Sequence, residues 1–379
     1  MSKKKICFIV SASGTAHSFL KEPIKLLSQH YDVYLAANIK DNDDLSDLEL
    51  AGFRSIPIER RPSIRHDFKA LCELTRYFKE MRFDSVHSIT KKASLLTTLA
   101  GRLAHIPHRL HHFTGQMWST MTGFRKLFYK YMDSFIVLSD TNMLVDGESQ
   151  RDYLIEQGIL KPGQATVLGK GSICGINTAR FCKNEEARTA IRQELNLTDE
   201  KVVYVFLGRL KREKGAYELF AAFNHVAPSC PNAVLLIVGV DEEKCMDRLE
   251  EYPNLRNGKN VIYYGFTQKP EDLYSASDVY VLPTYREGLG LSILEASATG
   301  LPVITSDTYG VRDSIIENIT GLRCKTYDVE TLALCMEKLY HDKNMRIEMG
   351  ANGIKYVYDY FTCEKICGAW LDYYLSVVK

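Results

Sequence analysis

Short apolar runs alternate with longer amphipathic segments along this chain, and the whole pattern occurs twice. In the first half the apolar runs are KICFIV (5–10), DVYLAA (32–37), DSVHSI (84–89), HRLHHF (108–113), SFIVLS (134–139) and ATVLG (165–169). Between them lie FLKEPIKLLSQ (19–29), DFKALCELTRYFKEM (67–81) and ASLLTTLAGRLA (93–104), with apolar residues at helical spacing. Strands this short and apolar are buried on both faces, which implies a parallel sheet covered by helices on either side. The pattern restarts with KVVYVFLG (201–208), AVLLIVG (233–239), NVIYYG (260–265), DVYVLP (278–283) and PVIT (302–305). EKGAYELFAAFNHVA, DEEKCMDRLEEY and GLSILEASATG supply helices between them. A chain of 379 residues is too long for one ordinary core and suits two α/β domains. The glycine-rich GKGSICGIN (169–177) lies between the two strand systems and is the expected hinge. Two doubly wound sheets are expected to turn their strand carboxyl ends toward a central cleft, so residues just after strands are the candidates for binding.

Composition narrows the classes. Hydrophobic residues make up 45% and charged residues 25%, ordinary globular values. No apolar run reaches the roughly 20 residues of a membrane span. The start, MSKKKICFIVSASG, runs directly into a strand and lacks a signal-peptide cleavage pattern, so a cytosolic protein is expected. The ten cysteines are scattered. Cys363 and Cys367 fall on one helical face and are expected to be free thiols, since one C-x3-C pair is weak for zinc. Net charge is +1, yet residues 1–170 hold 24 Lys+Arg against 18 Asp+Glu, and the remainder 24 against 29. The basic first half suggests an anionic partner or surface.

The strand ends carry the chemistry. After the first strand, SASGTAHSF places Gly14 at a helix start, where amides can approach a phosphate; the bland alternative is an ordinary strand–helix turn. After the fourth apolar run, alternation turns His111 and His112 to opposite faces, and His112 is the one expected to look toward substrate; a hydrogen-bonded core histidine is the alternative. VFLGRLKREKG places Arg209 and Lys214 beyond the second half's first strand, a fork and a point charge suited to a diphosphate. REGLGLSILE places Glu287 in a glycine loop and Glu295 about one turn inside the next helix. At ~100° per residue the two are about 80° apart if helical throughout, so they read as two separate hydroxyl acceptors, not a glycosidase dyad. Gly288 and Gly290 would let a ligand reach the amides of Gly290 and Leu291. The acidic DNDDLSD (41–47), with its Asp41-x-Asp43, reads as a solvated loop or cap and not a metal site.

The segments G-R-L…E-K-G (208–215) and E-G-L-G-L-S-I-L-E (287–295) resemble the retaining glycosyltransferases of family 4, which have the GT-B fold. HHFTGQMWST, SQRDYLIEQGI and VLGKGSICGINTARF are similar to a bacterial branch that builds surface polysaccharides and lipid-linked glycans. The resemblance implies an acceptor-binding Rossmann-like domain over 1–172 and a nucleotide-sugar-binding one over 173–361, with a C-terminal helix (362–379) packing back on the first. It implies that Arg209 and Lys214 hold the donor diphosphate, with amides near Gly290 and Leu291 and with Gly14 opposite. Glu287 would contact the transferred sugar, Glu295 the ribose, Phe266 and its neighbour the base, and His112 the reacting carbon. A UDP-linked hexose or N-acetylhexosamine is the implied donor, a polyprenyl-diphosphate-linked sugar the implied acceptor, with no metal, no other cofactor and no nucleic-acid partner. Same-face attack, with a donor phosphate oxygen taking the acceptor proton, is the implied route. An inactive binding or scaffold subunit and a nucleotide-sugar epimerase are the alternatives. Work at an anionic membrane, on the cytoplasmic face, is suggested by Phe124, Leu127, Phe128 and Tyr131 at i, i+3, i+4, i+7 beside Arg125, Lys126 and Lys130. An ordinary buried stripe with solvated flanks is the alternative there.

Overall fold

The computed structural model describes residues 2–59, 63–256, 258 and 260–379. Met1–Gly175 with Cys363–Lys379 form one compact unit, and Ile176–Thr362 form the other. In the first unit the strands are β1 (Lys5–Ile9), β2 (Asp32–Ala37), β3 (Gly52–Ser55), β4 (Ser85–Ser88), β5 (His108–Phe113), β6 (Asn142–Val145) and β7 (Ala165–Val167). They form one sheet in the order β3-β2-β1-β4-β5-β6-β7, parallel at every pairing. Helices α1 (Ser13–Phe19), α2 (Lys21–Leu27), α3 (Ile64–Met81), α4 (Lys91–Leu103), α5 (Gly123–Ser139) and α6 (Glu148–Glu156) supply the crossovers. Right-handed connection sends chain that runs leftward across the sheet over one face and chain that runs rightward over the other.

The second unit holds β8 (Val202–Leu207), β9 (Ala233–Val238), β10 (Val261–Gly265), β11 (Val279–Leu282), β12 (Val303–Ser306) and β13 (Gly321–Cys324). Their order is β10-β9-β8-β11-β12-β13, again all parallel. Its helices are α7 (Glu185–Glu194), α8 (Ala216–Val226), α9 (Pro270–Ala276), α10 (Leu291–Ala298), α11 (Val329–His341) and α12 (Lys343–Tyr360). Strands β8, β9 and β11 are buried almost throughout, as an α/β sheet clad on both faces requires.

The last helix, α13 (Cys363–Val377), belongs to the first unit. Trp370 and Tyr374 are fully buried and pack on Phe8 of β1 and His87 of β4. The indole Nε1 of Trp370 donates to the Ile173 carbonyl at 2.8 Å, tying α13 to the stretch where the first unit ends. Cys363 and Cys367 on this helix are free, and Cys367 is buried.

Two local readings fail. SFIVLS is not a strand but the last part of α5: Asp133, Ile136 and Val137 are buried on one helical face while Leu138 is 82% exposed. The helical period wins because the helix is already nucleated upstream, and extending a helix is easier than starting a strand. The strand at this place is NMLV in β6. DEEKCMDRLEEY forms only a 3-10 turn over Cys245–Glu251. The Asp241 carboxylate accepts the amides of Cys245 and Met246, at 2.8 and 2.9 Å, Lys244 sits at φ 55°, and Pro253 follows, so no regular α-helix develops.

Candidate functional site

The second sheet reverses its strand order between β8 and β11, and in such sheets ligands bind beyond the carboxyl ends at that reversal. Parallel pairing places the ends of β10, β9, β8 and β11 side by side, followed in turn by Phe266, Glu242, Arg209 with Lys214, and Glu287. At the reversal itself the Lys214 Nζ pairs with Glu287 Oε1, both side chains mostly buried. Residues 73 apart in sequence thus form one ion pair at the place where the topology opens the sheet.

The two loops are fastened to each other by more than this pair. Gly215 has φ 77°, and a Cβ there would collide with the Pro283 carbonyl, so only glycine allows the 208–215 turn to lie against β11's exit. Tyr285 N donates to Glu213 O at 2.9 Å, and the Arg286 guanidinium donates to Glu213 Oε2 at 2.8 Å. Burial alone would raise the Glu213 carboxyl, but Lys211 and Arg286 outweigh it and hold the pKa down at about 2. The Tyr285 hydroxyl donates to Glu218 Oε2 at 2.6 Å. This scaffold fixes Lys214 and Glu287 with little freedom.

Arg209 stands apart, half-exposed, its Nη1 3.4 Å from both carboxylate oxygens of Glu242. At that distance in solvent the pair is weak and leaves the fork available. Glu295 lies in α10, partly buried, accepting from the Tyr274 hydroxyl at 3.2 Å. Burial raises its carboxyl to about 7, while Tyr274 and Arg180 oppose that rise. Tyr280 donates to Ser292 Oγ at 2.8 Å, bracing the first turn of α10. Gly290 caps this helix at φ 79°, and a Cβ there would press on Ile293 and Val311. Its glycine is therefore demanded by backbone and packing, where the sequence suggested only room for a ligand. Leu291 is the helix's first residue, and Phe266 is 70% exposed after Gly265 at φ 79°.

In the first unit, Gly14 is exposed in the first turn of α1 and a Cβ there would touch nothing. Asp43 accepts from the Ser13 hydroxyl at 2.5 Å and the Lys40 amide at 2.9 Å, so DNDDLSD forms a capped turn. His112 corrects the expectation made for it. Alternation does part it from His111, but both rings are buried, because β5 is an inner strand clad on either face. His112 is fully buried, its Nε2 donates to Asp146 Oδ1 at 2.9 Å, and its ring packs beside His87 and Trp370. Its closest groups are those of its own unit's core.

Arg180, Tyr274, Glu213 and Arg286 were missed by sequence reasoning. All but Tyr274 lie inside segments singled out above, but nothing local marks their roles, and each is brought in by a partner distant in the chain. Glu242, in the polar run directly after β9, was legible by the strand-end rule.

The fold and the strand-end site define the class: two Rossmann-like α/β units of the GT-B architecture. Residues 187–356, most of the second unit, match the family described as glycosyl transferases group 1, so that unit is a group 1 glycosyltransferase domain. Over nearly its full length the chain is similar to the capsular polysaccharide biosynthesis glycosyltransferase CapM of Staphylococcus aureus, with 28% identity covering 97% of this chain and 95% of that one. It is 26% identical to a UDP-Gal:alpha-D-GlcNAc-diphosphoundecaprenol alpha-1,3-galactosyltransferase of Escherichia coli, covering 97% and 94%. Among solved structures, a sucrose-phosphate synthase from Thermosynechococcus elongatus has the same fold, with a TM-score of 0.82, 21% identity and 99% of each chain covered.

Proposed function

We propose that this chain is a retaining, family 4 glycosyltransferase that moves a hexose or N-acetylhexosamine from a UDP-sugar to a polyprenyl-diphosphate-linked acceptor in bacterial surface glycan synthesis. The observation that carries the reading is the Lys214–Glu287 pair at the reversal of strand order, with Arg209 on one side and Glu295 in the following helix. Lys214 and Arg209 hold the diphosphate, Glu287 receives hydroxyls of the transferred sugar, and Glu295 receives those of the ribose. Phe266 lies by the base, and the amides of Gly290 and Leu291 face the phosphates. The sugar–phosphate C1–O bond breaks, a C1–O bond to the acceptor forms on the same face, and the acceptor proton passes to the departing phosphate oxygen. Catalysis then rests on charge stabilisation of the leaving diphosphate and on positioning. Cations and amides neutralise the diphosphate, so no metal is needed. The E. coli relative's donor and diphosphoundecaprenol acceptor support the substrate classes.

No helix among the described residues is long and apolar enough to cross a membrane. Contact with a lipid-borne acceptor is assigned to α5, where Phe124 is 81%, Leu127 65%, Phe128 51% and Tyr131 73% exposed, beside Arg125, Lys126 and Lys130. A helix of this kind lies in the interface of an anionic bilayer, here on its cytoplasmic face.

A panel of nucleotide sugars tests the reading, first by thermal shift and then by transfer to a polyprenyl-diphosphate-linked sugar in EDTA. A UDP-sugar at 100 times its dissociation constant should add roughly 2.7 kcal/mol of stability, and transfer should persist without metal. Binding without turnover on any acceptor would make the chain a scaffold. An isomerised sugar from donor alone would make it an epimerase.

A further inference from the structure

The first unit's sheet separates two helical layers of different character. β1 turns Cys7 and Ile9 into the cluster formed with α3 and α4, and turns Phe8 toward Trp370 and Tyr374 of α13. β5 likewise sends Phe113 to Val137 of α5 and His112 to Trp370. Helices α3, α4 and α5 therefore share one side of the sheet, and α13 with its neighbour α2 the other. On the first side these three helices, with α6 in the same cluster as α5, carry eleven Lys+Arg against seven Asp+Glu, and one of those acids, Asp133, is buried. On the other, α1, α2 and α13 carry three against three. The positive balance of the first half is thus concentrated on a single layer.

That layer also exposes apolar groups away from α5. Ile64 and Phe68 of α3 are 90% and 67% exposed, and Leu103 at the end of α4 is 56% exposed. Phe68, Leu71, Cys72 and Leu103 line a groove of about 580 Å³, with Arg76, Lys79 and Glu80 also on its wall, the carboxylate of Glu80 being paired with Arg54 at 3.3 Å. An apolar groove bordered by cations, on the most basic layer of the unit, matches one ligand chemistry: an aliphatic chain ending in an anionic phosphate.

We propose that the α3–α4 groove binds an acidic phospholipid of the bilayer, its acyl chain along Phe68, Leu71 and Leu103 and its phosphate at Arg76 and Lys79. The groove is a second membrane contact besides α5, on the same side of the sheet, and the inference rests on the reading that this protein works at a membrane. Two contacts on one rigid unit fix its orientation on the surface as well as its attachment. They bind with an avidity that neither has alone.

Cys72 is exposed in the groove and serves as a built-in reporter. The full chain is labelled at Cys72 with an environment-sensitive thiol fluorophore, with a Cys72→Ser protein correcting for label elsewhere. It is then mixed with phosphatidylglycerol or phosphatidylcholine vesicles. A blue-shifted, brighter emission with phosphatidylglycerol vesicles alone is expected. In unlabelled protein, Phe68→Ser with Arg76→Glu and Lys79→Glu should weaken vesicle binding tenfold or more while transfer to a water-soluble acceptor stays unchanged. Vesicle binding with no emission change, or binding untouched by the triple variant, overturns the groove and leaves the membrane reading intact. An equal shift with phosphatidylcholine, whose phosphate is balanced by its choline cation, overturns the selectivity for an acidic lipid that Arg76 and Lys79 would confer. Failure to bind acidic vesicles at low salt overturns both, and the transferase reading then stands by itself.

Discussion

At the residue scale the candidate site holds two glutamates in different surroundings, and the proposed function divides the donor between them. Glu287 is held by Lys214 on a loop braced through Glu213, Arg286 and Tyr285, whereas Glu295 sits in α10 under Tyr274. Glu287→Ala and Lys214→Ala should each lower kcat by about 10²-fold or more, the usual cost of a charge-assisted contact formed in the transition state. Glu295→Ala should chiefly weaken nucleotide affinity. Calorimetric titration of UDP alongside initial rates separates the two, and equal losses of UDP affinity in the Glu287 and Glu295 variants would count against the division. Glu295 also predicts a pH dependence. Its carboxyl is raised to about 7, so between the ordinary carboxylate range and pH 7 the folded chain keeps a proton that the unfolded chain has lost. Stability from this group falls as pH rises through that window and is level above it. On the proposed role of Glu295, affinity for a UDP-sugar should run the opposite way, increasing as pH passes 7, because ribose hydroxyls would donate to the ionised carboxylate. Both slopes should flatten in Glu295→Gln, as read by thermal melts and binding titrations from pH 5.5 to 8.5.

At the element scale, glycines decide how closely the site loops approach one another. Gly215 lies against Pro283, and Gly239, at φ 133°, lies against the Gly208 carbonyl, which joins the exits of β9 and β8. Gly215→Ala and Gly239→Ala each combine a left-handed backbone with a backbone collision, and each should cost about 1–3 kcal/mol of stability, more if the loops cannot separate. Urea unfolding checks this; unchanged midpoints would mean that the loops yield freely. The elements themselves were largely legible, since β1, β2, β4, β5 and most second-unit strands fall on apolar runs visible in the sequence. The end of α5 was not, because Ser134–Ser139 reads as an apolar run by itself and becomes helical only as an extension of the turns before it.

For the whole molecule, the chain's return to its first unit matters most. Trp370 and Tyr374 cover Phe8, His87 and His112, so Trp370→Ala should cost about 3–5 kcal/mol. The loss should fall on the first unit: hydrogen exchange should quicken in β1, β4 and β5 and stay unchanged in β8 and β9. Uniform quickening across both sheets would refute that confinement. The α5 surface makes a further prediction. Changing Arg125, Lys126 and Lys130 together to Glu should abolish salt-sensitive flotation with acidic liposomes, each cation contributing ~1 kcal/mol near such a surface. Flotation equal to that of the unaltered protein would remove α5 from the membrane contact.

The sequence by itself determined the strand–helix alternation, its repetition, and which polar residues follow strands, because burial on both faces leaves a local period that any reader of the chain can see. Arg209, Lys214, Glu287 and Glu295 were legible for that reason. The tertiary structure alone decided what stands beside what. It set Lys214 against Glu287 at the β8–β11 reversal, buried His112 beneath a helix from the far end of the chain, and left α5 and the α3–α4 groove uncovered. Local patterns report how apolar a segment is. Strand order and long-range packing decide which apolar and charged groups find partners, and those depend on contacts between residues far apart in the chain.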